Sequence, residues 1–339
     1  MNSPAMRTAS PLEKPGDFDA YWNDTLAELE RIPLDIELSD DDPRQDPSDR
    51  REAATGKNVA VAKLNYLSIS GKRPTGWLFR PLSTPMTGAL LFLPGYSATC
   101  GSPLIQAVLA QVAEQGFTVL AIDPRGQGAS RSEQSPDPKG KLVTGPFTPE
   151  AYIYRGIIAD CVRAVDVLID QAGVDSIGVF GHSQGGGLAL ITASLAQAKV
   201  RAVGCMIPFL THFAHAFETR LSTGPYREIY DFAMERPEEA PLLRRALGYV
   251  DTLHHAPRVQ APTLVSVGLE DTTCPPHTVY ALFERLQCTR SLLVFPDLGH
   301  SHSPDFYHHE LAWFHRYLVP GPEGGFTLER LGLRGDRAQ

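Results

Sequence analysis

The stretch VFGHSQGGG, residues 179–187, constrains the fold of this chain more than any other part of it. A short apolar run at 176–180 suits a buried strand, and a second one at 188–196 suits a buried helix. Between these two runs, Ser183 lies in a glycine-rich turn of the kind that holds a serine in a strained backbone conformation. Such a turn leaves no room for Cβ atoms at its flanking positions, which here are Gly181 and Gly185. The stretch therefore predicts a strand, a sharp turn and a helix that present Ser183 as a nucleophile. The alternative is a glycine-rich turn with an incidental serine, which the flanking elements disfavour.

Length, composition and charge narrow the class of protein. The chain has 339 residues, 42% of them hydrophobic, which is enough for a substantial core. Strand-like and helix-like segments alternate along it, which favours one large α/β domain over two small ones. The formal net charge is −8 and no basic run is present, so a nucleic-acid partner is not expected.

The cysteine pattern and the hydropathy indicate the compartment. The five cysteines are scattered, odd in number and never in a CxxC pair, which favours neither a disulfide framework nor a zinc knuckle. No apolar stretch follows Met1, and no run reaches the length of a membrane span. We therefore expect a cytoplasmic protein with reduced thiols and no membrane partner.

The predicted domain boundaries follow from changes in composition. We expect one domain over residues 1–320, with an N-terminal helical arm at about 15–38, where aromatic and leucine residues recur at helical spacing. Residues 208–257 are helical, aromatic and charged without a strand pattern, which predicts an insertion that caps the site. The glycine- and arginine-rich residues 321–339 are expected to form a C-terminal tail.

Several further elements can be predicted from local patterns. Residues 59–69 and 75–80 predict an antiparallel hairpin, and the charged, proline-broken segment 39–57 predicts a solvated loop. A helix is predicted from Pro149 to near Gly173. The polar, proline-containing residues 131–148 predict a surface loop.

Two loops that follow predicted strands contribute candidate site residues. The strand 88–93 leads into a loop in which Tyr96 is positioned to supply a backbone N–H to an oxyanion, although an aromatic loop residue can also serve as a packing plug. The strand 117–122 leads into a glycine-punctuated turn that contains Arg125 and Gln127. We expect these two side chains to brace neighbouring loops by hydrogen bonds rather than to act on a substrate. The turn lacks GxGxxG, so no dinucleotide cofactor is expected.

The acid and the base that Ser183 needs are predicted near the C-terminus. Asp271 ends a buried strand-like run, and His300 lies in the loop after the last predicted strand. Ser183, Asp271 and His300 then occur in the chain order expected of an α/β-hydrolase. His302 could also reach the serine, but Gly299 gives the loop freedom to aim His300.

One alternative is a metal site. His212, His215 and Glu218 are spaced at i, i+3 and i+6, as on a metal-binding helix face. Partly exposed histidines of a cap fit this pattern better, and a serine mechanism requires no metal. We therefore expect neither a metal nor a cofactor.

Together these residues resemble the acetyl xylan esterase and cephalosporin-C deacetylase family of carbohydrate esterases, family 7, within the α/β-hydrolase superfamily. Beyond GHSQGG, the chain has RGQG at 125–128 and GLEDTTCPP at 268–276, both similar to family segments. The segments 17–38, 151–166 and 208–210 are also similar, so the resemblance covers most of residues 15–318. One position departs from the family pattern: Ser301 follows His300 where the family usually has Glu.

The resemblance implies an α/β-hydrolase fold, with a mostly parallel doubly wound sheet and a helical cap insertion. It implies Ser183 as nucleophile, His300 as base, Asp271 as its orienting acid, and the backbone N–H groups of Tyr96 and Gln184 as the oxyanion hole. It also implies deacetylation of small-molecule acetyl esters or acetylated oligosaccharides by a homo-oligomer, often a ring-shaped hexamer. The rival interpretations are a thioesterase or peptidase on the same scaffold and, more remotely, a non-catalytic binding protein.

Overall fold

A single mixed β-sheet forms the centre of the chain. The computed structural model describes residues 10–39, 58–218 and 223–319. Within these residues the strands are β1 (Glu37–Ser39), β2 (Val59–Asn65), β3 (Thr75–Pro81), β4 (Gly88–Leu93), β5 (Phe117–Asp123), β6 (Ile177–His182), β7 (Val200–Met206), β8 (Thr263–Gly268) and β9 (Arg290–Phe295).

The sheet is antiparallel at one end and parallel over the rest. Its strand order is β1-β2-β3-β5-β4-β6-β7-β8-β9. Strands β1, β2, β3 and β5 pair antiparallel, whereas β5, β4, β6, β7, β8 and β9 pair parallel. The central parallel strands are buried along almost their whole length, which accounts for their continuous apolar runs. The loops at their carboxyl ends share one edge of the sheet, where open α/β sheets place their sites.

Helices cover both faces of this sheet. Within the described residues they are α1 (Phe18–Glu30), α2 (Pro103–Glu114), α3 (Ile153–Ala172), α4 (Gln184–Leu195), α5 (Ala214–Glu218), α6 (Gly224–Glu235), α7 (Ala240–Gly248), α8 (Thr252–His255), α9 (Pro276–Arg285) and α10 (Pro304–Leu318). Side chains from α2 and α10 pack on one face, and those from α1, α3, α4 and the segment 208–257 contribute to the larger core on the other.

The segment 208–257, which we call the insertion, is helical and packs against the N-terminal helix. It contains α5 to α8, as its composition predicts. Trp22 of α1 is buried and donates its indole N–H to the Tyr249 carbonyl oxygen at 3.1 Å. Phe18 lies edge-on to His255, with their ring centroids 4.9 Å apart. The N-terminal helix therefore packs on the insertion, and Arg155 of α3 also forms an ion pair with its Glu28 at 2.6 Å.

Other predicted elements agree with the structure to varying degrees. The hairpin is present as β2 and β3. Helix α3 begins at Ile153 instead of Pro149, because the Thr148 carbonyl accepts hydrogen bonds from the N–H groups of Ala151 and Tyr152 and forms a turn first. It ends at the left-handed Gly173, as predicted.

Two elements of the fold have no counterpart in the sequence prediction. Strand β1 is a three-residue, mostly exposed edge strand, so it has no apolar pattern to reveal it. Helix α10 follows Ser303, whose hydroxyl accepts a hydrogen bond from the Phe306 N–H at 3.3 Å. The predicted solvated loop 39–57 and C-terminal tail 321–339 lie, except for Ser39, outside the described residues. None of the described helices has the length and apolarity needed to span a membrane.

A buried ion pair joins the turn after β5 to helix α3. The Arg125 guanidinium donates to both carboxylate oxygens of Asp160, at 2.9 and 2.6 Å, and the Arg125 backbone N–H donates to the same carboxylate at 3.0 Å. The Arg125 and Asp160 side chains are 3% and 0% exposed. The guanidinium also donates to the Ile69 carbonyl oxygen at 3.1 Å. These contacts give Arg125 the bracing role that was expected from the sequence.

We expect Asp160→Asn to lower the free energy of unfolding by ~3 kcal/mol or more, because it leaves the buried Arg125 charge without its partner. Urea unfolding followed by circular dichroism measures the loss. Asp170→Asn, at an exposed position of the same helix, is the matched control and should change stability by less than ~0.5 kcal/mol. Equal effects of the two substitutions would contradict the structural role of the pair.

Candidate active site

Ser183 lies between the end of β6 and the start of α4 in a backbone conformation that side chains rarely adopt. Its φ and ψ are 56° and −118°. Its N–H donates to the Met206 carbonyl oxygen at 2.9 Å, and its carbonyl oxygen accepts from the N–H groups of Phe209 and Gly187 at 2.9 and 3.1 Å. The strand, turn and helix predicted from the sequence are all present, and these bonds hold the strained residue in place.

The glycines around Ser183 are required by close backbone contacts. A Cβ atom on Gly185 would lie 1.8 Å from the Leu93 carbonyl oxygen at the end of β4, and one on Gly181 would lie 2.5 Å from the same oxygen. A Cβ atom on Gly187 would lie 2.1 Å from the Phe209 carbonyl oxygen. The first turn of α4 is therefore pressed against its neighbours on two sides, as glycine alone permits.

The structure places His300 between Ser183 and Asp271. His300 Nε2 is 3.0 Å from Ser183 Oγ, and His300 Nδ1 is 2.8 Å from Asp271 Oδ2. The second carboxylate oxygen of Asp271 accepts the N–H groups of Thr273 and Cys274, at 2.8 and 2.7 Å. The buried carboxylate is thus held on both sides, and it favours the imidazole tautomer with the proton on Nδ1, which leaves Nε2 as a hydrogen-bond acceptor facing Ser183 Oγ.

His302 has a different position from the one that a base would need. Its ring stacks on His182 with a centroid distance of 3.9 Å and an interplanar angle of 18°, and it also lies nearly parallel to the Tyr307 ring, with centroids 6.1 Å apart. Burial, reinforced by the neighbouring histidines, lowers the pKa of His182 to about 3. Burial also lowers the pKa of His302, which favours the neutral form of this ring as well. The His182 ring in turn lies 5.4 Å from the His300 ring.

The backbone N–H groups of Gln184 and Tyr96 are the candidate oxyanion donors. Gln184 is the first residue of α4, so its N–H has no acceptor within the helix. Tyr96 follows Gly95, and a Cβ atom on Gly95 would lie 4.0 Å from the Ser183 Cβ. The structure therefore brings the Tyr96 loop next to the serine.

The Gln127 side chain connects the loop that contains Tyr96 with the Gln184 side chain. The Gln127 amide donates to the carbonyl oxygens of Gly95 and Ala98, both at 2.6 Å, as expected of a bracing side chain. Its oxygen accepts from the Gln184 side-chain amide at 3.0 Å and from the Lys141 ammonium.

Two site residues, Lys141 and Glu228, were not found from the sequence. Lys141 belongs to the segment predicted as a surface loop, yet it is 5% exposed, so that prediction is wrong there. Glu228 of α6 accepts a hydrogen bond from the Tyr96 hydroxyl group, with the two oxygens 2.6 Å apart. No local pattern marks either residue, because their partners are distant in the chain.

Groups with metal-binding chemistry also occur in this region. In the described part of the chain, one group of three potential metal ligands lies close together. It consists of Asp271, Cys274 and His300, whose ligand atoms lie within 4.8 Å of one another. Two of the three already hydrogen-bond to each other in the Ser–His–Asp arrangement. His212 is buried instead of partly exposed, and His215 Nδ1 lies 3.1 Å from His277 Nε2.

The mostly parallel sheet, its helices on both faces and the serine at a strand-to-helix turn define an α/β-hydrolase fold. The acetyl xylan esterase (AXE1) family profile matches residues 6–318, and the chain belongs to this family. It is thus an esterase, and the family supports the hydrolysis of acetyl esters.

Individual relatives agree with this assignment. The acetyl xylan esterase from Paenibacillus sp. R4 is 31% identical, with a TM-score of 0.79 over 91% of this chain and 97% of that one. Acetyl xylan esterase 1 from Thermoanaerobacterium sp. JW/SL YS485 is 28% identical, with a TM-score of 0.78 over 92% and 98%. The acetyl esterase Axe7A of Xylanibacter ruminicola is 23% identical over 90% of this chain and 68% of its own length.

We expect Gly185→Ala to destabilise the protein, although alanine is favoured over glycine inside a helix by roughly 1 kcal/mol. The new Cβ would lie 1.8 Å from a backbone oxygen that cannot move without shifting β4. Thermal unfolding should show a lower Tm, whereas Gly16→Ala, which meets nothing within 4 Å, should leave it unchanged. A higher Tm for Gly185→Ala would show that the contact relaxes freely.

Proposed function

We propose that this protein is a serine esterase that removes acetyl or other short acyl groups from acetylated sugars or small molecules such as cephalosporin C, through an acyl-enzyme intermediate. The observation that carries the proposal is the hydrogen-bonded series from Ser183 Oγ through His300 to Asp271, at 3.0 and 2.8 Å. Membership of the acetyl xylan esterase family supports the acetyl substrate.

In the proposed mechanism, His300 Nε2 takes the proton of Ser183 as the serine oxygen attacks the ester carbonyl. Asp271 supports the imidazolium that forms, and His300 then returns the proton to the departing alcohol. A water molecule, activated by the same imidazole, hydrolyses the acyl-enzyme. The reaction as proposed uses no metal or cofactor.

The negative charge that develops on the carbonyl oxygen would be bound by the backbone N–H groups of Tyr96 and Gln184. The Gln184 N–H also lies at the positive end of the α4 dipole. Each such donor lowers the barrier by roughly 3 kcal/mol in comparable sites.

We expect Ser183→Ala and His300→Ala each to lower kcat by about 10⁴-fold or more, since members of such a triad act as a unit. The rate of p-nitrophenyl acetate hydrolysis measures the loss. His302→Ala is the control, because His302 contacts neither the serine nor the aspartate through the hydrogen bonds described above, and it should cost far less. If His302→Ala caused the large loss and His300→Ala the small one, His302 would be the base instead. If a serine-reactive phosphonate labelled another residue as activity was lost, Ser183 would not be the nucleophile.

Aromatic side chains of the insertion form a packed cluster close to Ser183. The Phe209 ring is fully buried and lies 6.2 Å from the Tyr96 ring and 4.6 Å from the Tyr226 ring, measured between ring centroids. The backbone N–H of Phe209 donates to the Ser183 carbonyl oxygen. Phe213 packs at 6.0 Å behind Phe209. Because these rings already fill the space between them, we infer that they leave room for a small acyl group only. Overpacking would outweigh the roughly 0.8 kcal/mol that each buried methylene adds.

We therefore expect kcat/KM to fall from acetate to butyrate to octanoate p-nitrophenyl esters, and acetylated sugars to be hydrolysed. Steady-state kinetics over the acyl series measure the trend. A steady rise through octanoate would replace the deacetylase proposal with a lipase-like or thioesterase-like one. If none of these esters were hydrolysed, the non-catalytic binding protein would be favoured. If acyl-peptide amides were cleaved, a peptidase would be favoured.

The proposed organisation of the chain follows the same likeness. We propose one domain over residues 1–320 with the insertion as the cap of the site and residues 321–339 as a tail. A cytoplasmic homo-oligomer, a hexamer by family resemblance, belongs to the same proposal.

A further inference from the structure

The Tyr96 hydroxyl group has three hydrogen-bond partners, and their chemistry fixes where its proton lies. The backbone N–H groups of Lys141 and Leu142 lie 2.6 and 3.2 Å from the hydroxyl oxygen, and Glu228 Oε2 lies 2.6 Å from it. A backbone N–H can only donate, so the hydroxyl oxygen accepts twice and its single proton points to Glu228. The carboxylate of Glu228 is therefore the acceptor that completes the contacts of this hydroxyl.

Glu228 reaches Tyr96 from the insertion and passes over Gly140, where a side chain would occupy the same space. Glu228 belongs to α6, and the φ of Gly140 is 139°. A Cβ atom on Gly140 would lie 1.8 Å from Glu228 Oε2. The contact thus joins three separate segments: the loop after β4, the segment around Gly140 and the insertion.

Lys141 holds the other end of Tyr96. Its ammonium group donates to the Tyr96 carbonyl oxygen and to Gln127 Oε1, and it lies 4.4 Å from the centre of the Tyr96 ring. The peptide on one side of Tyr96 is therefore fixed through its carbonyl group, while the side chain is fixed through its hydroxyl group. The Tyr96 N–H belongs to the preceding peptide, whose Gly95 carbonyl oxygen accepts from Gln127, so the contacts of Lys141 and Glu228 hold Tyr96 on its other two sides.

The two charged groups at either end of Tyr96 are largely removed from water. Burial raises the pKa of Glu228 to about 7, although the Tyr96 hydroxyl and Lys141 oppose this shift. Burial lowers the pKa of Lys141 to about 7, against the attraction of Glu228 and Asp123. Each group stabilises the charged form of the other, so loss of one charge weakens the hold on both ends of Tyr96.

We propose that Glu228 is a positioning residue, which orients the Tyr96 backbone N–H toward the oxyanion through the Tyr96 hydroxyl and so links the insertion to the catalytic centre. The inference rests on the proposed function, because it assigns a purpose to the oxyanion hole of that reaction. Glu228 itself does not touch the substrate.

Such a residue should affect the transition state more than the bound ester. The N–H of Tyr96 would bind the charged oxygen of the tetrahedral intermediate far more strongly than the neutral carbonyl oxygen of the substrate. A small misplacement of the donor therefore lowers kcat and leaves KM nearly unchanged. Displacements of about 1 Å at such sites reduce rates by up to about 100-fold.

The experiment compares Glu228→Gln, Tyr96→Phe and the double variant with p-nitrophenyl acetate, each normalised to the concentration of sites titrated by a fluorophosphonate. We expect kcat per titrated site to fall about 10-fold or more in Tyr96→Phe, which loses the hydroxyl, and by less in Glu228→Gln, which loses only the charge. The double variant should be no slower than Tyr96→Phe, because both substitutions break one series of contacts.

A second readout follows the oxyanion directly. A trifluoromethyl ketone forms a charged adduct with the serine, and its inhibition constant should rise in proportion to the loss of kcat/KM in each variant. Asp231→Asn removes an exposed carboxylate from the same helix, where it pairs with Arg227, and is the matched control that should leave kcat and inhibitor affinity unchanged.

Three results would overturn the inference: wild-type kcat per titrated site in either Glu228→Gln or Tyr96→Phe, additive losses in the double variant, or unchanged inhibitor affinity. A variant that only misfolds loses titratable sites while its kcat per site stays at the wild-type value, which also counts against the inference. If Ser183→Ala abolishes activity in the same assays, any of these outcomes removes the role of Glu228 alone and leaves the proposed reaction intact.

Discussion

The close approach of the first turn of α4 to the end of β4 is the constraint on which the rest of the site depends. Gly185 lies so near the Leu93 carbonyl oxygen that a Cβ atom would fall 1.8 Å from it. This contact leaves Ser183 in a backbone conformation with positive φ, and the bonds to Met206 and Phe209 hold it there. The backbone strain at Ser183 is thus offset by these surrounding contacts. In the strained conformation, the serine side chain points toward His300.

How much of this could be predicted from the sequence depends on how far apart the interacting residues are in the chain. The turn at Ser183 was predictable because its strand, glycines and helix are contiguous. Asp271 and His300 were predictable because each follows a recognisable strand, and carboxyl ends of parallel strands meet at one edge. The structure brings all three residues together, with hydrogen bonds of 2.8 and 3.0 Å.

The contacts around Tyr96 could not be predicted in the same way. Lys141 lies in a polar, proline-containing segment, and such composition ordinarily indicates solvent exposure. It is buried because Tyr96 and Gln127 supply acceptors that are 45 and 14 residues away in the chain. Glu228 is one of many charged residues on the helices of the insertion, and only its position over Gly140 distinguishes it. Strand β1 escaped prediction for a different reason, since a short exposed edge strand carries no hydrophobic signal.

The packing of α1 on the insertion bears on how substrates reach the serine. The Trp22 indole N–H donates to the Tyr249 carbonyl oxygen, and the Phe18 ring lies against His255. The N-terminal helix therefore contacts the insertion near the C-terminal end of the insertion. Nearer the middle of the insertion, Glu228 fastens it to the loop after β4. If the insertion caps the site as proposed, these two separate attachments would oppose its movement as a hinged lid. Substrate selectivity would then come from the fixed shape of the entrance and not from closure.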